Sequence, residues 1–292
     1  MTTVVQAFES MRQGLELTDA QRKTASDQQN VVRDNLKKHL GGISRDFLSG
    51  SYARATAIKP LHDIDLFVVL DPTAHRDVYP SNTVPPSACL KKVHRALAAA
   101  YPTANTPTLQ QRSVNIVFTG TGIGYDVVPA FENRAGMFVI PDRGRDAWIE
   151  TQPEAHRAAL VAANEKAGGK LNALIKMAKH WKKEHRVPLR SFHLEVMAYG
   201  AFTSGPDRFP EGVRAVFGHL ANAVQSTCPV PGLAGLPSVD AGMMQDERTR
   251  LRTKLLETEQ KAREALEHER FGRDTEAHRI WRWMFGSAYP VG

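Results

Sequence analysis

The 292-residue chain has 38 basic and 31 acidic side chains, a formal charge of +7, with 42% hydrophobic and 24% charged residues. This is the composition of a soluble globular protein long enough to bury its own core, which excludes a disordered tail or a small disulfide-stapled scaffold. With two cysteines (Cys89 and Cys228, read as reduced thiols), no apolar run near the roughly 20 residues of a membrane span, and an N-terminus without the basic start of a secretory signal, a cytoplasmic protein with no membrane partner is expected.

Residues 3–15 read as a short helix. Thr18 or Asp19 caps a second one, about 30 Å long, which Gly41-Gly42 stops. Its apolar positions include Val31, Val32, Leu36 and Leu40. IDLFVVL, residues 64–70, is short, apolar and β-branched, as a buried strand should be. Proline-rich residues 80–86 form a loop, and 88–100 a helix. SVNIVFTG and YDVVPAF are strands joined by the turn Gly120-Thr121-Gly122-Ile123-Gly124. A strand follows these glycines rather than a helix, so they are not a dinucleotide-binding fingerprint. The strand–helix–strand–strand order predicts an α+β layer with a mixed sheet. Helices are expected over 154–166, over 169–185, and from Ser191 to about 203. A Pro/Gly-rich loop spans 226–240, and 244–270 reads as a long helix with seven basic and seven acidic residues between Asp246 and Arg270. Leu251, Leu255 and Leu266 are its inner stripe. Trp181, Trp281 and Trp283 are expected in helix–helix cores. His180, His185 and His193 lack a metal-ligand pattern.

The chemistry-bearing segment is Gly50-Ser51-Tyr52-Ala53-Arg54-Ala55-Thr56, followed by Asp63-Ile64-Asp65. Side chains two apart on a strand share a face, so Asp63 and Asp65 present two carboxylates on one side while Ile64 faces the core. Two carboxylates held this close repel each other, and a divalent cation reconciles them; magnesium, with its preference for oxygen ligands, suits the pair. Asp126 stands at the start of the later strand. If that strand lies beside IDLFVVL, three acids meet at one sheet edge. They can hold two ions, one lowering the pKa of an attacking hydroxyl, the other neutralising a triphosphate and its leaving pyrophosphate. Gly50 lets the backbone approach a phosphate, and Ser51 offers it a hydroxyl and an N–H. Between Lys166 and Arg190 there are eight Lys or Arg and one acid, Glu184. Lys176, Lys179 and Lys183 fall on one helix face, opposite Leu171, Leu174, Ile175 and Ala178, which predicts a cationic surface suited to a polyphosphate. His62, next to Asp63, is expected in a loop.

GSYARATAIKPLHDIDLFVVL, continued by YDVVPAF, VIPDRGRDAWIETQPEAH and GGKLNALIKMAKHWKKEHRVPLRSFHLEVMAYGAF, resembles the bacterial CD-NTase family over roughly residues 30–203. These are the anti-phage (CBASS) relatives of cyclic GMP–AMP synthase and oligoadenylate synthetase. The resemblance implies an α+β fold: a polymerase-β-like nucleotidyltransferase palm with a mixed β-sheet at 43–153, packed on a C-terminal helical bundle at 154–292 that closes the nucleotide cleft, with N-terminal helices at 1–42 that include a long spine helix. It implies a bacterial, template-independent nucleotidyltransferase that makes a cyclic di- or trinucleotide second messenger from nucleoside triphosphates, ATP among them. By resemblance, Asp63, Asp65 and Asp126 bind two Mg2+ (or Mn2+) ions and carry catalysis. Gly50 and Ser51 contact the donor triphosphate, and Lys179 and Ser191 hold its β- and γ-phosphates. Phe192 stands where relatives often put a base-stacking aromatic, commonly tyrosine, and lacks that hydroxyl. The zinc-binding insertion of the animal enzyme has no counterpart. The product would act on a downstream effector. In some systems of this family a ubiquitin-like (E1/E2-like) pathway conjugates the terminal residue, here Gly292.

Two other readings share these residues. One is a different template-free nucleotidyltransferase, making linear oligoadenylate or adding nucleotides to RNA ends. The other is a non-catalytic nucleotide- or RNA-binding scaffold. The +7 charge permits RNA binding without demonstrating it.

Overall fold

The computed structural model describes residues 2–81, 83–101, 105–233 and 237–290; Gly292, the expected conjugation point, lies outside them. Thr3 and Thr18 open helices α1 (Val4–Leu15) and α2 (Asp19–His39) in the same way. In each, the threonine hydroxyl accepts the N–H of the glutamine three residues on, and that glutamine's side chain accepts the threonine N–H. Gly41 and Gly42, with φ of +64° and +53°, end α2 as expected.

A mixed sheet follows, built from β1 (Ile43–Ser49), β2 (Asp63–Leu70), β3 (Thr108–Leu109), β4 (Val114–Phe118), β5 (Ile123–Glu132), β6 (Phe138–Asp142) and β7 (Ala147–Thr151), with the short helix α3 (Gly50–Ala53) after β1 and α4 (Pro86–Ala100) after β2. The strand order is β1-β2-β5-β4-β3, and β6 pairs with β5 and β7. The β2–β5 pair is parallel, and the others are antiparallel. One face carries Ile64, Leu66, Tyr125 and Val127, all buried, and the Tyr125 hydroxyl donates to the Ala25 carbonyl of α2 at 2.6 Å. On the other face Phe67, Val69, Val128, Ala130, Phe138 and Ile140 form a separate apolar cluster, with Phe47 stacked 5.2 Å from Phe67. Asp65 and Asp126 share that second face, toward the strand starts.

The rest is helical: α5 (Pro153–Lys166), α6 (Leu171–Glu184), α7 (Ser191–Ala198), α8 (Phe209–Ala223), α9 (Gln245–Arg270) and α10 (Asp274–Phe285). By contact density the chain forms two units: residues 17–55 and 60–153 make the sheet unit, and residues 1–16, 56–59 and 154–292 the helical unit. The first two helices therefore belong to different units. Aromatic packing explains why α1 joins the C-terminal helices. Phe8 meets Trp281 edge to face at 4.8 Å, and Tyr289 at 5.4 Å. His278 bridges the Tyr289 hydroxyl (2.9 Å) and the Thr2 carbonyl (2.8 Å).

Several expectations are corrected here. The helix from Ser191 stops at Ala198, ahead of Gly200, where a Cβ would press on the His219 ring at 3.0 Å. Trp181 and Trp281 are buried, but Trp283 is 47% exposed beneath the Lys254 ammonium. The cationic face on the 169–185 helix does not form. Lys176 is buried against Glu16 at 2.6 Å and Lys179 against Glu195 at 2.8 Å, leaving Lys183 exposed. Among the described residues no helix is long and apolar enough to cross a membrane. Both cysteines are buried free thiols, with burial pushing Cys89 up to about 12 and Cys228 to about 11.

The Pro/Gly-rich loop is tied down by a charge. The Asp240 carboxylate accepts the Cys228 N–H at 3.0 Å and pairs with Arg248 of α9. Arg248 also donates to the carbonyls of Val224 (2.9 Å) and Ser226 (3.0 Å). Burial alone would raise the Asp240 pKa, but the Arg248 and N–H hydrogen bonds outweigh it and hold it at about 2. A depressed folded-state pKa stabilises at neutral pH, and that stabilisation is lost as pH falls through the folded value. Asp240→Asn should therefore cost about 3 kcal/mol at pH 7. In urea unfolding at a series of pH values, the gap to wild type should narrow from about pH 4 toward pH 2.

Candidate active site

The acid cluster is a product of strand register. In the parallel β2–β5 pair, Asp65 lies directly opposite Asp126 and Asp63 opposite Gly124. Ser49 of β1 also faces Asp65, and Asn115 of β4 faces Asp126. One row across four strands thus reads Ser49, Asp65, Asp126, Asn115. Asp63 sits two residues back on the same face, as the sequence predicts.

The surroundings of these acids are specific. The Asn115 amide donates to Asp126 Oδ1 at 2.8 Å, and the Gln110 side chain also bonds this carboxylate. Burial raises the Asp126 pKa, and these hydrogen bonds pull against it. Asp65 is pushed up to about 6, first by burial and then by the charge of Asp126. The Arg54 guanidinium opposes that rise and Asp63 adds to it. Gly50 adopts φ +64°, and a Cβ built there would overlap the Asp65 carboxylate. At Gly124 a Cβ would come within 3.0 Å of both Asp63 Oδ1 and the Asn115 amide, while the Gly124 N–H donates to the His62 carbonyl at 2.5 Å. Glycine at 50 and 124 therefore makes room around the acids. His62 itself is exposed.

Three carboxylates on one face, one of them resisting ionisation through burial and then through the charge of its neighbours, are a donor set suited to a hard divalent cation. Among the described residues, however, no three His, Cys, Asp or Glu side chains stand ready-grouped for a metal. What the structure supplies is the backbone register that sets Asp65 opposite Asp126 with Asp63 on the same face.

The remaining expected site residues lie in the helical unit. Lys179 Nζ donates to the Thr56 carbonyl (3.1 Å), the Thr56 hydroxyl (3.0 Å) and Glu195 Oε2 (2.8 Å). Glu195, fully buried, also accepts from the Thr56 hydroxyl at 2.8 Å and the Tyr199 hydroxyl at 3.2 Å. Ser191 opens α7, and its hydroxyl receives a hydrogen bond from Lys182 at 3.0 Å. Phe192 is half-buried, with its ring 5.2 Å from that of His156. His180 and His185 bond the Phe285 and Met284 carbonyls at 3.0 Å, consistent with core roles. Asn115, Gln110, Glu195 and Lys182 were not singled out from sequence, and Arg54, Thr56 and Gly124 were named there only as members of a segment or a turn, with no role of their own. Only Asn115, a lone amide in the apolar strand VNIVF, carries a signal that could have marked it.

A mixed sheet presenting three aspartates from two parallel strands, one of them entered from a Gly-Ser turn, is the palm of a polymerase-β-like nucleotidyltransferase. Residues 1–164, more than half of the chain, match the Second Messenger Oligonucleotide or Dinucleotide Synthetase domain, and the chain belongs to that family of CD-NTase enzymes. A cyclic AMP-AMP-AMP synthase of Acinetobacter is 27% identical over 315 aligned positions, covering 99% of this chain and 86% of the relative. The solved structure of Escherichia coli CdnC with ATP superposes with a TM-score of 0.74 at 18% identity, over 98% of this chain and 99% of that one. A CdnC complex with HORMA-deltaN gives 0.74 at 19% identity, over 97% and 96%. Vibrio cholerae DncV cyclic AMP-GMP synthase, solved with a linear intermediate, gives 0.76 at 13% identity, over 99% and 97%. The chain is a nucleotidyltransferase that synthesises a nucleotide second messenger, and its family works with divalent metal.

Gly50→Ala should therefore disable the enzyme without unfolding it. The added methyl displaces the Asp65 carboxylate, and a misplacement of about 1 Å at a reacting centre costs on the order of a hundredfold in rate. Turnover measured beside a circular dichroism melt checks this: the melt should shift by only a few degrees while activity falls by that factor.

Proposed function

We propose that this chain condenses nucleoside triphosphates into a cyclic oligonucleotide, with ATP as a substrate and a ring of AMP units as the product, as an anti-phage signal in the bacterial cytoplasm. The observation that carries the reading is the pairing of Asp65 with Asp126, with Asp63 on the same face and Gly50 packed against Asp65. Asp63, Asp65 and Asp126 would hold the divalent ions. When bound, such ions neutralise the triphosphate and make a ribose hydroxyl easier to deprotonate.

In the sheet unit, the Asp126 carboxylate, oriented by Asn115, is the group that takes the proton of the acceptor hydroxyl. The hydroxyl oxygen bonds to the donor α-phosphorus, the bond to the bridging oxygen breaks, and pyrophosphate leaves. Gly50 and Ser51 contact the donor phosphates. In the helical unit, Ser191 contacts the phosphate tail and Phe192 offers a ring face to a base. Each further transfer adds a unit in the same way, and the last, in which the terminal ribose hydroxyl attacks the α-phosphorus of the chain's own 5′ triphosphate, closes the ring and releases the final pyrophosphate. The HORMA-deltaN complex of E. coli CdnC supports a protein partner of the same kind for this chain.

Incubation with the four ribonucleoside triphosphates and Mg2+ or Mn2+, then phosphatase and mass spectrometry, tests the reading. A phosphatase-resistant cyclic product is expected, and chelation should abolish it. Asp65→Asn and Asp126→Asn should each lower the rate by about a hundredfold or more. Product that persists in those variants, or wild type that leaves the triphosphates intact while extending RNA ends, would refute it.

A further inference from the structure

The turn between β3 and β4 reaches the acid row from the β4 side. Its first residue, Gln110, is exposed, yet its side chain bonds the Asp126 carboxylate. The two ends of a glutamine amide are not equivalent, because the oxygen only accepts and the nitrogen only donates. The Ser113 hydroxyl donates to Gln110 Oε1 at 2.7 Å. With the oxygen engaged there, Nε2 is the end left for Asp126, and a carboxylate needs a donor. Reversed, the amide would set an oxygen lone pair against that carboxylate. The turn that carries Gln110 is itself fastened. The Gln110 N–H donates to the Ser113 carbonyl at 2.9 Å and closes it. At its tip, the Gln111 amide and the Arg112 guanidinium donate to Asp142 at 2.8 and 2.9 Å, and Asp142 is fully buried at the end of β6. The Arg143 N–H returns to the Gln111 carbonyl at 2.9 Å.

We propose that Gln110, oriented by the Ser113 hydroxyl, is a positioning residue for Asp126, and that with Asn115 it holds this carboxylate in the one rotamer that nucleotidyl transfer uses. The proposal rests on the nucleotidyltransferase reading and adds to it a residue pair outside the three acids. Asp126 lies opposite Asp65 in the parallel pair, and two like charges free to turn would swing apart. Amide donors on the β4 side oppose that swing: Asn115 grips Oδ1 at 2.8 Å, and Gln110 adds a second bond from a turn anchored to Asp142.

The test compares Gln110→Leu, Gln110→Glu, Ser113→Ala and the double variant Gln110→Leu with Ser113→Ala. Each is followed by ATP kinetics, by thermal melting and by Mn2+ titration read by electron paramagnetic resonance. Gln110→Leu should lower kcat by about tenfold or more, since a group that orients a ligating carboxylate is lost, with the KM for ATP within a few-fold. Mn2+ binding should weaken by a similar factor, and the melt should not move, because position 110 is at the surface. Gln110→Glu keeps the shape and the bond from Ser113 but turns a second carboxylate toward Asp126, so its kcat should fall further. Ser113→Ala should lower kcat by less. The double variant should be no slower than Gln110→Leu alone, because Ser113 acts through Gln110. Unchanged kcat in Gln110→Leu or full activity in Gln110→Glu would overturn the proposal. So would a loss confined to KM, a kcat that falls only in step with the melt, or single losses that multiply in the double variant. Mn2+ binding needs no turnover, so a chain whose Mn2+ affinity depends on Gln110 yet makes no nucleotide product would refute the functional reading and leave the role of Gln110 standing. A chain that neither binds Mn2+ nor turns over ATP would refute both.

Discussion

The parallel pairing of β2 with β5 is the constraint on which the site depends. Its register sets Asp65 against Asp126, and a slip of one residue would turn one of the two acids into the apolar face that packs on α2. The register is held from both sides. Ile64, Leu66, Tyr125 and Val127 are buried on one face, and Phe67, Val69, Val128 and Ala130 are buried on the other. Near-continuous burial beyond the acids is what lets the strand starts carry like charges side by side. The glycines at 50 and 124 complete the arrangement by leaving out atoms that would occupy the carboxylates' space.

In the helical unit the organising cost is burial of charge, and each instance is met locally. Lys176 faces Glu16, Lys179 faces Glu195, and Arg248 faces Asp240. These pairs tie segments that are distant in sequence: α1 to α6, the 56–59 segment to α6 and α7, and the 226–240 loop to α9. Breaking one member of such a pair is costly because the other, still buried, loses an opposite charge beside it. An aromatic cluster around Phe8 and Trp281 supplies the apolar counterpart and draws the N-terminal helix to the C-terminal ones.

Much of this was legible in the sequence. Period-two acids in Asp63-Ile64-Asp65, an apolar strand after them and an acid opening YDVVPAF were enough to mark the three acids, because strand geometry is local; that they meet depended on the two strands being neighbours, which the structure shows. The helix starts at Thr18 and Ser191 were legible for similar reasons, since caps and turn residues act within a few positions. Strand β1 was not, because ISRDFLS is only partly buried and shows no clean alternation. The fate of the α6 lysines was hidden for a different reason. Helical periodicity placed Lys176 and Lys179 on one face, but their partners Glu16, Thr56 and Glu195 come from three other stretches of chain, and no local pattern announces an ion pair across such distances. Gln110 was likewise invisible as a site residue until the fold brought it to Asp126.

The most direct measurement is anomalous diffraction from crystals of the chain grown with Mn2+ and a non-hydrolysable ATP analogue. The account predicts manganese peaks bounded by the carboxylates of Asp63, Asp65 and Asp126, with the analogue's phosphates against them. Manganese bound elsewhere, or an ordered nucleotide whose phosphates lie apart from these three side chains, would contradict it.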